Sequence, residues 1–160
     1  MFGRPESDDH PGVVALPPLI FAGFLVAGIL LTWALPAFLP SAYTTWMLAL
    51  GGFFVAAAVV LAIGGILAFT KAGTNIEPTK PALVLVFDGP YRFTRNPMYS
   101  GLILMLVGIS LLFSIDYALV LAMPFAAVLH YGVVLREEAY LTAKFGEPYQ
   151  NYLTQTRRWI

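Results

Sequence analysis

Gly89-Pro90-Tyr91-Arg92-Phe93-Thr94-Arg95-Asn96-Pro97-Met98-Tyr99-Ser100-Gly101 stands between two long apolar regions and holds two of the chain's nine basic residues, Arg92 and Arg95. Asn96-Pro97 reads as a helix start. Asn is a favoured N-cap because its side-chain oxygen can accept from a free N–H of the first turn, and Pro fits the first helical position, where its missing N–H costs nothing. The residues after Pro97 are apolar for many positions, so the predicted start lies at the mouth of a membrane-buried helix. Its free first-turn N–H groups and the positive end of the helix dipole offer a site for an anion, with Arg95 beside it.

Downstream of this mouth, Met98 to Leu135 is apolar apart from Asp116, His130 and a few small polar residues. One continuous helix of that length would rise about 57 Å, nearly twice a hydrocarbon core of about 30 Å. The segment must therefore fold back, and Ser114-Ile115-Asp116 is the punctuation at which a tight turn is expected. This gives two spans, about 97–113 and 117–135, as a hairpin. Pro124 lies inside the second and is expected to kink it. Upstream, spans are expected over about 16–35 and 46–69. Pro17 and Pro18 fall in the first turn of the earlier one, and Pro36 marks its end. In the later one Gly51-Gly52, Ala56-Ala57-Ala58 and Gly64-Gly65 make a small-residue face suited to close helix packing. Between these pairs, residues 71–95 hold the charges and prolines of a structured surface loop, with the apolar run 82–87 lying in the interface. Unpatterned loops of this length, about 25 residues, are uncommon unless functional or disordered.

At 160 residues, 59% hydrophobic and 11% charged, the chain reads as one all-α integral membrane domain with four transmembrane helices. Its mean hydropathy is +0.76. The formal net charge of +0 argues against nucleic acid as a partner, and the absence of Cys removes disulfides, thiolate nucleophiles and Cys-ligated metals. No metal site is expected. Residues 1–12 read as a short polar tail, lacking the basic start and apolar core of a signal peptide. The loops at 36–45 and 114–116 contain no Lys or Arg. The 71–95 loop contains four, and Arg136, Lys144, Arg157 and Arg158 follow the last span. Positive charge gathers on the cytoplasmic side, which puts both termini and the central loop there.

After Leu135, Arg136-Glu137-Glu138-Ala139-Tyr140-Leu141-Thr142-Ala143-Lys144-Phe145-Gly146 keeps helical spacing, and Gly146 with Pro148 stops it. A cytoplasmic or interfacial C-terminal helix is expected here. Tyr149, Tyr152 and Trp159 beside Arg157 and Arg158 read as interfacial anchors. A hairpin brings the cationic mouth at 89–101 close to the carboxylates at 137–138. An anion site facing carboxylates suits a zwitterion carrying hydroxyls. Gly101, Met105 and Gly108 share one helix face, leaving room for a flat ligand or for the fourth span. Two other readings remain: a small transporter subunit, although no span carries an acidic residue, and a non-catalytic four-helix membrane module.

The two segments, in this order around a hydrophobic hairpin, resemble the superfamily of isoprenylcysteine carboxyl methyltransferases and phospholipid methyltransferases. Its hallmarks are Arg-His-Pro-x-Tyr-x-Gly at the start of one span and Glu-Glu-x-x-Leu-x-x-x-Phe-Gly after the next. The resemblance covers about residues 70–160. Arg95, Pro97, Tyr99 and Gly101 match the first motif, and Glu137, Glu138, Leu141, Phe145 and Gly146 the second. It implies an S-adenosylmethionine-dependent membrane methyltransferase acting on a lipophilic acceptor from the bilayer. The acceptor classes are a prenylated cysteine carboxylate, a phospholipid amine, and a small hydrophobic thiol or acid. It also implies a cofactor site at the cytoplasmic face formed by Tyr91, Arg95, Asn96, Pro97, Tyr99, Gly101, His130, Glu137 and Glu138, with Arg95 and Glu138 carrying catalysis. Asn96 departs from the motif's His and cannot titrate near neutral pH. His130, the histidine inside a span, is the candidate to compensate.

Overall fold

The computed structural model describes residues 9–40 and 44–159. Most of the polar tail, residues 1–8, lies outside them. The described residues form helices α1 (Pro17–Ala34), α2 (Thr45–Ala72), α3 (Pro97–Leu112), α4 (Asp116–Leu129), a π-helical turn (His130–Val134), α5 (Leu135–Phe145) and α6 (Glu147–Gln155), with a 3₁₀ turn at Gly89–Arg92. No strand occurs among them; Thr94 and Arg157 form an isolated parallel bridge. Among the described residues three helices are long and apolar enough to cross a membrane: α1, α2 and the continuous helix Asp116–Phe145. At 16 residues α3 is equally apolar but shorter.

Pro17 opens α1, and the helix ends at Ala34, just before Pro36. Helix α2 outlasts the expected span by three residues and stops at Gly73, whose φ of 68° is the left-handed cap that glycine adopts freely. The turn falls where the polar punctuation put it. Residues 113–115 join α3 to α4, with Ser114 at φ 51°. Asp116 then opens α4, fully buried, and its carboxylate accepts from the N–H groups of Phe38 at 2.6 Å and Leu39 at 2.5 Å. An acidic group at a helix N-terminus complements the dipole, and here it also ties down the 36–40 loop.

Helix α2 packs along α3, α1 along α4, and α3 along α4, so α3 and α4 are the inner pair. Leu106, Phe125, Leu129, Val133 and Val134 are fully buried between them, with Phe21 and Phe24 of α1 packed against Phe125. Small residues set the spacing. A Cβ on Gly28 would lie 2.4 Å from Ala118 Cβ, and one on Gly108 would lie 2.9 Å from the Gly51 carbonyl. Gly101 and Gly108 therefore face α2, and neither the fourth helix nor a flat ligand occupies that face.

Pro124 sits exposed within α4. One expectation is corrected at the far end of this helix, which does not end near Leu135. It passes through the π turn at 130–134 into α5, so the carboxylate-bearing segment is a continuation of the fourth apolar helix, and the separate C-terminal helix is α6.

Candidate functional site

The start of α3 and the body of α5 meet at one end of the molecule. Tyr99, in the first turn of α3, donates its O–H to Glu137 Oε1 of α5 at 2.6 Å. One turn-step away, Arg95 Nη2 lies 3.4 Å from Glu138 Oε1, with both side chains mostly buried, 10% and 13% exposed. The two motif segments are thus in direct contact through two pairs.

They form one wall of a cavity of about 110 Å³. Arg95, Asn96, Tyr99, Glu137 and Glu138 supply the polar wall, with Tyr91 from the 3₁₀ turn and Tyr149 and Tyr152 from α6. Phe69, Met98, Val86 and Leu141 supply apolar surface, and the 75–87 loop covers it. That loop is held by Thr74 Oγ1, which accepts from Leu83 N–H at 2.9 Å, and by Tyr140 Oη, which accepts from Ala82 N–H at 3.1 Å. The apolar run of this loop is split: Val86 packs inward on Tyr91 and Ala68, while Leu83, Val84 and Phe87 are exposed.

Burial raises the phenols of Tyr91 and Tyr149 well above the ordinary tyrosine range and pushes Tyr152 up to about 12. All three are neutral hydroxyls at physiological pH. Tyr152 donates to the Tyr91 carbonyl at 2.6 Å, fixing α6 to the 3₁₀ turn. Arg95 Nε is buried and has no hydrogen-bond partner among the described residues. A buried guanidinium nitrogen in that condition is rare and costly; within a cavity wall it is a donor available to a ligand.

Among the residues expected from the sequence, the structure brings Tyr91, Arg95, Asn96, Tyr99, Glu137 and Glu138 together on the cavity. Pro97 is buried as the first residue of α3. Gly101 does not line the cavity; a Cβ there would meet the Ala58 carbonyl of α2 at 3.1 Å. His130 is also elsewhere, its Nδ1 accepting from Trp159 Nε1 at 3.4 Å. The expected Asn96 cap is absent. Its side chain makes no capping bond; its Nδ2 donates instead to the Arg158 carbonyl at 3.0 Å. The C-terminal segment has taken the place at the helix mouth that capping would have filled.

Residues read as membrane anchors turn out to belong here. Tyr149 is 4% exposed and lines the cavity with Tyr152. Arg158 binds Glu138 with two prongs, Nε to Oε1 at 3.0 Å and Nη2 to Oε2 at 2.8 Å. That pairing holds the guanidinium even more firmly protonated than usual. The sequence signals for α6 are Pro148 in its first turn and the Tyr149–Tyr152 spacing after Gly146, which aligns both rings on one helix face.

The profile of the family described as phospholipid methyltransferase matches residues 46–148, more than half of the chain. An uncharacterized protein of Haemophilus influenzae is 35% identical over 63 residues, which is 39% of this chain and 100% of that one. No solved structure matches. The family belongs to the class of membrane methyltransferases, and the helices long and apolar enough to cross a membrane agree with that class. Within that class, the chain belongs to the phospholipid methyltransferase family.

Proposed function

We propose that this protein transfers a methyl group from S-adenosylmethionine to a lipophilic acceptor, a phospholipid amine or an isoprenylcysteine-type carboxylate, at the cytoplasmic face of a membrane crossed by α1, α2, α3 and the α4–α5 helix. The observation that carries this reading is the polar cavity wall built jointly from Arg95 and Tyr99 of one motif and Glu137 and Glu138 of the other.

The residues present fit the cofactor. Arg95, with its unpartnered buried Nε, suits the methionine carboxylate. The carboxylates of Glu137 and Glu138 suit an ammonium group or ribose hydroxyls, and Phe69, Met98 and Leu141 give apolar surface for the remainder. When bound, S-adenosylmethionine supplies an activated methyl group on a sulfonium, so the protein needs neither a nucleophile of its own nor a metal. What the chain contributes is alignment, which can supply about 7–11 kcal/mol of the barrier, and exclusion of water beneath the 75–87 loop.

The test is calorimetric binding of S-adenosylhomocysteine to the purified protein in detergent. Micromolar binding by the wild type is expected, lost in Glu138→Ala and in Arg95→Ala while circular dichroism shows both still folded. Wild-type affinity in both variants would sink the site assignment. No binding by a folded wild type would leave only shared architecture and bring the non-catalytic module forward. With binding in hand, transfer of labelled methyl into lipid extracts identifies the acceptor class.

A further inference from the structure

Residues 156–159 run back across the start of α3. Arg95 N–H donates to the Arg157 carbonyl at 2.9 Å. The next carbonyl, that of Arg158, accepts from Thr94 Oγ1 at 3.1 Å and from Asn96 Nδ2 at 3.0 Å. Beyond it Trp159 reaches His130. Backbone pinned on both sides of residue 158 presents its guanidinium at one place, where it engages both oxygens of Glu138. Arg158 itself does not line the cavity; Glu138 and Arg95 do.

This geometry decides between two arrangements. A buried carboxylate beside one guanidinium closes into a fork with charge-assisted bonds of about 2.7–2.9 Å. Were Arg95 the sole partner of Glu138, its donors would be consumed in that fork. Instead Arg158 takes the carboxylate from behind, and Arg95 stands off at 3.4 Å with Nε unpartnered among the described residues. We propose that Arg158 is a positioning residue: by holding both oxygens of Glu138 it keeps the Arg95 guanidinium open for the anionic end of a cavity ligand. The proposal rests on the methyltransferase reading, since that end is the carboxylate of the cofactor. The family match stops at residue 148, short of this strap.

Two probes separate positioning from general support: S-adenosylhomocysteine, and 5′-methylthioadenosine, which is the same thioether nucleoside without the amino-acid end. Arg158→Ala is expected to weaken S-adenosylhomocysteine by roughly tenfold or more, the size of one charge-assisted hydrogen bond, and to leave methylthioadenosine unchanged. Arg158→Lys keeps the charge without the fork; it is the milder variant should Arg158→Ala fold poorly, and it should show the same selective loss at smaller size. Equal losses for both probes would make the strap merely structural and overturn the proposal. So would wild-type affinity for S-adenosylhomocysteine in both variants. Failure of the folded wild type to bind S-adenosylhomocysteine would instead overturn the methyltransferase reading, and this proposal with it.

Discussion

Tyr99 and Glu137 are 38 residues apart in sequence and 2.6 Å apart in the structure. Helical spacing places each on its own helix, and the resemblance of the two motifs joins them, but only the fold shows that the joint is a hydrogen bond. The phenol is 8% exposed, so removing it leaves a carboxylate oxygen without its donor where water is scarce. Tyr99→Phe is expected to destabilise the protein by about 1–3 kcal/mol, read as a lower thermal midpoint in detergent; an unchanged midpoint would show that the bond contributes nothing net. Asn96 marks the limit of residue-level reading. Residue type and the following proline both favour a cap, yet the side chain is captured by a carbonyl 62 residues later. Local preference for a cap is worth about 1 kcal/mol, and a fixed strap beside the helix mouth outweighs it. Arg158 was misjudged for the same reason, because an Arg between aromatics has the composition of an interfacial anchor and nothing in its neighbours points to Glu138.

At the scale of elements, the sequence carried what local chemistry controls. The turn at 113–115, the proline-opened starts of α1 and α3 and the small-residue face of α2 are all visible in residue order. The partner of that face was not, since glycines state that something approaches closely without saying what. The π turn was equally hidden: Arg136-Glu137-Glu138 looks like an exit from the membrane, but charge does not end a helix whose backbone bonds continue. Gly51 and Gly52 test the packing directly because they are adjacent with opposite surroundings. A Cβ at Gly51 would lie 2.8 Å from Leu112 Cγ and 3.0 Å from the Gly108 carbonyl, whereas one at Gly52 meets nothing within 4 Å. Gly51→Ala should force α2 from α3 and cost about 1–3 kcal/mol. Gly52→Ala should be neutral or stabilising, because alanine is the better helix former by roughly 0.5–1 kcal/mol. Thermal midpoints of the two variants that moved together would mean that α2 and α3 do not pack as described.

For the whole molecule, the question is how this arrangement sits in a bilayer. The cavity, the 71–95 loop and the strap share one end. The other end carries Trp33 at 80% exposure, Phe38 and Phe113, and its connections at 36–40 and 113–115 contain no basic residue. Aromatic residues gather at membrane interfaces and basic loops stay cytoplasmic, and on that ground we propose that the cavity end faces the cytoplasm. Helix α3, at 16 residues, rises about 24 Å, short of a hydrocarbon core of about 30 Å. In the proposed orientation, with its far end held at the aromatic level by the three-residue turn, its mouth and Arg95 would sit below the headgroups. A lipid acceptor could then reach the cavity sideways without leaving the bilayer. The chain contains no Cys, which makes the orientation measurable with single substitutions. Ala37→Cys, on the exposed 36–40 connection, and Lys80→Cys, in the loop over the cavity with the native side chain 54% exposed, should report opposite sides. An impermeant maleimide is expected to label Ala37→Cys in right-side-out vesicles and Lys80→Cys only in inverted ones. The reverse pattern would put the site outside the cell, and labelling of both from one side would show that α2 does not cross.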